Sequence, residues 1–269
     1  MLAVLCLLWV FPTVGLLVSS FRSQDAINSS GWWTVFASPL DFSQWTLENY
    51  GEVLFGRGMA NAFVNSFVVA VPATVIPILI ATFAAYAFTF MRFPGRDTLF
   101  ILVVALLVVP IQVALVPLLQ FYGDVGLNGS FAAVWLAHAG FGMPLAIFIL
   151  RTYMQTLPKS IIESAAVDGA SHFTTFWRLI VPMSVPALAA FAIFQFLWVW
   201  NDLLVALLFI GAGANEVVTV NLAGLVGSQG QGWHLLTAAG FISMIVPLLV
   251  FISLQRYFVR GLTAGAVKG

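Results

Sequence analysis

Between Arg57 and Arg92 the chain carries no charged side chain. A helix crossing the ~30 Å hydrocarbon core of a bilayer needs about 20 mostly apolar residues, and this stretch exceeds that. Further apolar runs of the same character give six expected spans, at about residues 1–20, 59–91, 98–120, 131–153, 186–210 and 238–258. In lipid the backbone must satisfy its own polar groups. Runs of this length therefore make the fold class all-α, a polytopic transmembrane helical protein. Composition agrees: 7% of residues are charged, where a soluble domain carries about a quarter. Pro72 and Pro77 fall inside the second run, where kinks are expected.

Orientation follows from lysine and arginine, which favour the cytoplasmic side. Arg92, Arg96, Arg151, Lys159, Arg178, Arg256, Arg260 and Lys268 all fall on one side, and only Arg22 and Arg57 on the other. That other side also holds Asp25, Asp41, Glu48, Glu52, Asp124 and Glu216. Both termini and the segment between spans four and five are therefore expected in the cytoplasm. The first run lacks a basic start and a small-residue cleavage site, so it reads as a retained helix. The outer segment 21–58, with Trp32, Trp33 and Trp45, is expected to lie along the membrane surface, where aromatic rings settle.

Several function classes drop out. Cys6 has no second cysteine to pair with, and His138, His172 and His234 lack ligand spacing. A formal net charge of zero gives no general attraction to nucleic acid. The chain has no G-x-x-x-x-G-K-[ST] loop for nucleotide phosphates and no G-x-S-x-G elbow.

The segment "ESAAVDGASHFTTFWRLIVP", Glu163–Pro182, breaks the apolar pattern. Pro158 suits a first turn, and Ser160 with Glu163 fits a capping box. A short helix would pass Ala165 and Ala166 and stop near Gly169, and a second would begin at Ser171. Phe173, Phe176, Trp177 and Ile180 would share one apolar face. Pro182 would end this helix and Pro186 open the fifth span. Such a pair of helices suits either a lipid surface or a protein cleft.

"ESAAVDGA…LIVP" resembles the EAA loop of bacterial ABC importer permeases, with Ser164 in place of an alanine and Val181 in place of a leucine. "TLENY", "NSFVVAVPAT", "AAYAFTFMRFPGR", "LPKSIIESAAVDGAS", "WVWND" and "RGLTAGAVKG" extend the likeness along most of the chain, toward sugar importer permeases of the maltose and α-glucoside type. The resemblance implies a type I ABC importer permease fold in the bacterial cytoplasmic (inner) membrane. It implies no enzyme and no cofactor in this chain, with ATP and Mg on a partner ATPase. It also implies a second permease forming a heterodimer, two ATP-binding subunits and an extracytoplasmic sugar-binding protein, in contact with membrane lipid. Glu163, Ser164, Ala165, Ala166, Asp168, Gly169, His172 and Pro182 would form the coupling helix. Gly265 and Lys268 would be a second docking point. Asn221, Gln229 and Gln231 would meet the binding protein.

Polar residues inside spans stay open to two accounts. Gln112, Gln195, Trp198, Asn201 and Asp202, with Asn61 and Asn65, either line a permeation path or join helices by hydrogen bonds. Two alternatives differ in class: an ion-coupled secondary transporter using Asp202, and a non-transporting membrane scaffold.

Overall fold

The computed structural model describes residues 1–39, 41–225 and 232–264, with side chains as far as Leu254. Helices dominate, and no strand occurs among the described residues. Two compact units divide the chain: Met1–Phe67 with Gly211–Leu248, and Val68–Ile210 with the chain from Leu249 onward. Among the described residues four helices are long and apolar enough to cross a bilayer: Leu2–Ser20, Met59–Phe90, Phe131–Met154 and Trp233–Leu254. Two bent pairs reach that length only jointly, Arg96–Val108 with Ile111–Asp124 at 98° and His172–Met183 with Val185–Trp200 at 70°. If each pair is one crossing, the total is up to six.

The bend in the first pair has a local cause. The residue before a proline is pushed out of the helical region. Val109 is accordingly extended (φ −73°, ψ 119°), and Pro110 starts the next helix. The run expected at 98–120 is therefore two helices.

Pro72 and Pro77 behave differently, because the Met59–Phe90 helix passes through both. Each proline lacks an N–H, which frees the carbonyl four residues back: Val68 for Pro72, Ala73 for Pro77. Both carbonyls find a donor elsewhere. Trp135 Nε1 donates to the Val68 carbonyl at 2.8 Å, and Gln195 Nε2 donates to the Ala73 carbonyl at 3.2 Å. Gln195 Nε2 also reaches the His138 carbonyl at 3.3 Å. One amide thus joins three helices. Gly142 makes room for it, since a Cβ there would lie 2.5 Å from Gln195 Oε1.

In the larger unit an apolar core brings Ala81, Ala85 and Tyr86 against Ile147, Leu150 and Met154, with Phe176, Ile180 and Phe191 from the chain that follows. Arg151 sits 3.7 Å over the Phe100 ring and ties the Arg96–Ala105 helix to this group. In the smaller unit, Val53, Met59 and Ala62 pack with Val218, Leu235, Ala238 and Ile242.

The carbonyl repair predicts a rescue. Gln195→Leu leaves the Ala73 carbonyl unpaired, a loss of about 1–3 kcal/mol, visible as a lower thermal midpoint in detergent. Pro77→Ala restores the missing donor, so the double variant should recover most of that loss.

Candidate functional site

The segment between Met154 and Val185 folds as a two-armed hairpin. Its first arm is the Lys159–Val167 helix, capped by Pro158 rather than by Ser160. The expected capping box does not form, because Ser160 already lies inside the helix. The arm ends on a Schellman turn: Ala170 N–H donates to the Ala165 carbonyl at 2.9 Å and Gly169 takes φ +74°. No atom stands within 4 Å of a Cβ added at Gly169, so within this chain glycine answers a backbone demand, and the space beside it is open.

Ser171 then caps the second arm, its Oγ accepting from Thr174 N–H at 3.2 Å. Pro182 does not end this arm. The helix widens into a π-type turn at Phe176–Ile180, passes Pro182, and breaks at Ser184. A π turn shifts the register by one residue, which absorbs the donor that proline lacks. The shift also divides the expected apolar face. Phe176 and Ile180 are buried, while Phe173 and Trp177 stay exposed.

The two arms are held differently. Phe176 stacks on Phe83 with centroids 4.4 Å apart, and Tyr153 Oη donates to the Met183 carbonyl at 3.1 Å. His172 Nδ1 lies 2.9 Å from Tyr86 Oη. His172 thus ties the hairpin to the Met59–Phe90 helix. On the first arm Ala165 turns inward, whereas Glu163, Ser164, Ala166, Asp168 and Gly169 are exposed. The Glu163 carboxylate has no hydrogen bond or ion pair among the described residues. Ser160, Ser164 and Asp168 face Thr174, Thr175 and Arg178 across a shallow groove between the arms.

A cavity of about 380 Å³ lies at the Pro110 break, lined by Pro110 and Ile111, by Phe141 and Gly142, and by Phe194, Gln195 and Trp198. Irregular backbone at membrane depth is tolerated where it is buried in protein or lines such a space. Trp198 and Gln195 therefore do come together, but Gln195 is fully buried. Gln112 is exposed and does not line the cavity, although Ile111 and Ala114 on either side of it do. Asn201 and Asp202 act at helix ends. Asn201 Nδ2 donates back to the Leu197 carbonyl at 2.7 Å, and Asp202 Oδ2 accepts from Val205 and Ala206 N–H at 2.9 and 3.1 Å.

His138 is the residue that sequence reasoning passed over. It is fully buried, with its Nε2 3.6 Å from Asp202 Oδ2 and its ring edge-on to Trp198 at 5.0 Å. A titratable side chain inside a span was the available signal. Tyr86 and Trp135 were missed as well, and asking where each proline-freed carbonyl goes would have pointed toward Trp135.

Among the residues assigned to the outer face, Asn221 is turned inward and donates to the Arg57 carbonyl at 2.9 Å and to Glu216 Oε1 at 2.7 Å. Asn65 likewise holds the Ala214 and Glu216 carbonyls. Gln229, Gln231, Gly265 and Lys268 lie outside the described residues.

The sequence profile of the family described as "Binding-protein-dependent transport system inner membrane component" matches residues 58–264. The "Osmoprotective compounds uptake permease protein GgtD" of Synechocystis sp. is 61% identical, covering 97% of this chain and 88% of that one. The "Alpha-glucoside transport system permease protein AglG" of Rhizobium meliloti is 43% identical, covering 98% and 95%. Among solved structures, a chain of a bacterial ABC transporter "involved in the import of the acidic polysaccharide alginate" superposes with a TM-score of 0.77 at 19% identity, over 96% of this chain and 93% of that one. A chain from the alginate transporter "in complex with alginate pentasaccharide-bound periplasmic protein" gives 0.63 at 15% identity, over 93% and 90%.

The Asp202 geometry generates a graded prediction. Asp202→Leu removes the acceptor for two N–H groups and should lower stability by about 1–2 kcal/mol. Asp202→Asn keeps an acceptor oxygen and should keep most of both stability and uptake. Thermal unfolding and solute uptake of the two variants check this.

Proposed function

The chain belongs to the family of inner-membrane components of binding-protein-dependent transport systems, ABC permeases whose ATPase is a separate subunit, and from that premise we propose how it works and what it carries. It forms half of a translocation path with a second permease. The Glu163–Gly169 arm is its docking element for an ATP-binding subunit, on the cytoplasmic side with both termini. The cargo is a neutral polyhydroxylated solute, an α-glucoside or a related osmoprotective compound, delivered by an extracytoplasmic binding protein. Two relatives with those printed roles support the cargo class.

One observation carries the docking assignment: an exposed, unpaired Glu163 on an arm whose sister arm is packed into the membrane helices. A partner that moves the first arm moves the second with it. Closure of two ATPase subunits would then reach the Met59–Phe90 helix through Phe83–Phe176 and Tyr86–His172, as a rigid-body switch. Small exposed residues at Ala166 and Gly169 let a protein surface approach closely. The ion-coupled alternative loses its main support, because Asp202 Oδ2 already caps a helix.

The test uses the complete transporter in proteoliposomes, with labelled α-glucoside and labelled osmoprotective solute as separate cargoes. Gly169→Trp and Glu163→Ala should insert normally yet lose most ATP-driven uptake, roughly tenfold or more if docking loses about 1.4 kcal/mol. Undiminished uptake by Gly169→Trp would refute the docking role, whatever the cargo. Uptake of neither solute by the native complex would refute the cargo class alone.

A further inference from the structure

The chain turns back on itself directly after its first helix. Arg22 is 3% exposed, and its guanidinium donates to the carbonyls of Ala26 (3.0 Å), Ser30 (3.2 Å) and Gly31 (3.0 Å) and to the Ser30 hydroxyl at 2.6 Å. Asn49 Nδ2 holds the Ser20 and Arg22 carbonyls at 2.9 and 2.8 Å. This clasp directs the Trp32–Ala37 turn of 3₁₀ helix back against the helix the chain has just left. The Trp32 ring lies 5.1 Å from that of Phe11, and a Cβ on Gly15 would fall 2.8 Å from the indole.

The level of that contact is informative. At 1.5 Å per residue, Gly15 lies ~7.5 Å and Phe11 ~13.5 Å back from Ser20 along the axis. No charged side chain lies between Leu2 and Phe21, and the helix is apolar and largely exposed along that stretch. The apolar run ends only at Ser19, Ser20 and Arg22, so the Phe11–Gly15 stretch behind them lies within the apolar layer. Trp32 therefore meets it there, below the headgroups. Around Trp32, Val35 faces inward at 1% exposure, while Trp33 and Phe36 face outward at 63% and 62%. Both outward rings are edge-on to Trp32 with centroids 6.1 Å away.

We propose that residues 31–37 form an aromatic wedge seated in the leaflet beside the first helix, with Trp33 and Phe36 in contact with lipid acyl chains. Depth argues for lipid as the occupant. So does the clasp: irregular backbone at the membrane must have its polar groups satisfied by protein, and Arg22 satisfies the carbonyls at the point of entry. A loop standing in water would meet no such demand.

Nitroxide labels at Trp33→Cys and Phe36→Cys, with Asp25→Cys as the aqueous control, test this in a Cys6→Ser background. The intact transporter is placed in phosphatidylethanolamine–phosphatidylglycerol nanodiscs, and collision with oxygen is compared with collision with a water-soluble nickel chelate. Oxygen should dominate severalfold at positions 33 and 36, and nickel at position 25. Nickel dominance at 33 and 36 would place the wedge in water and overturn the proposal. Exclusion of both reagents would place it against another protein and overturn the proposal equally. A second measurement leaves Cys6 in place: phospholipids brominated on their acyl chains should quench the native chain more than Trp33→Phe. Equal quenching overturns the proposal.

Discussion

A peptide carbonyl that loses its helical donor inside a membrane has no water to turn to, and two such groups help to join the helices of the larger unit. Pro72 and Pro77 free the carbonyls of Val68 and Ala73, and Trp135 and Gln195 supply donors from other helices. These bonds join sequence-distant helices where apolar contact alone is weakly selective, since lipid tails are as apolar as leucine. The prolines thus act as half of an address and the donors as the other half. Gln195 is accordingly part of the framework of the nearby cavity, which Phe141, Phe194 and Trp198 line with aromatic rings.

The hairpin between Met154 and Val185 shows the complementary arrangement. Its second arm is embedded through Phe176, Ile180 and the Tyr86–His172 contact, and its first arm carries exposed small and acidic residues. Stiffness on one arm and accessibility on the other are what a mechanical link needs. The π-type turn at Phe176–Ile180 lies between the hairpin's tip and the bend at Ser184, so the tip is carried on a continuous helix that ends at that bend.

Much of this was legible in the residues. Apolar run length located the long helices, Gly169 marked a helix stop, and Ser171 marked the next cap. Those signals are local: they depend on one residue's conformational preference or on composition. What the sequence hid depends on competition between neighbours. Pro158 took the capping position and left Ser160 inside the helix, and Pro182 was absorbed by a change of helix type. Val109 was bent out by the proline after it, although the run around it is uniformly apolar. Asn221 reads as a free polar group in a loop until the Arg57 carbonyl and Glu216 are seen beside it. Pairings across many residues, such as Gln195 with Ala73, carry no local signal at all.

The Arg22 clasp also alters the charge inventory of the smaller unit. Of its basic groups, Arg22 is buried under carbonyls and Arg57 is paired with Glu52 at 2.9 Å. Asp25, Asp41 and Glu48 of the same unit remain exposed. Carboxylates without free guanidinium groups beside them produce a negative local potential, which lowers the concentration of anions at the surface and leaves uncharged molecules unaffected.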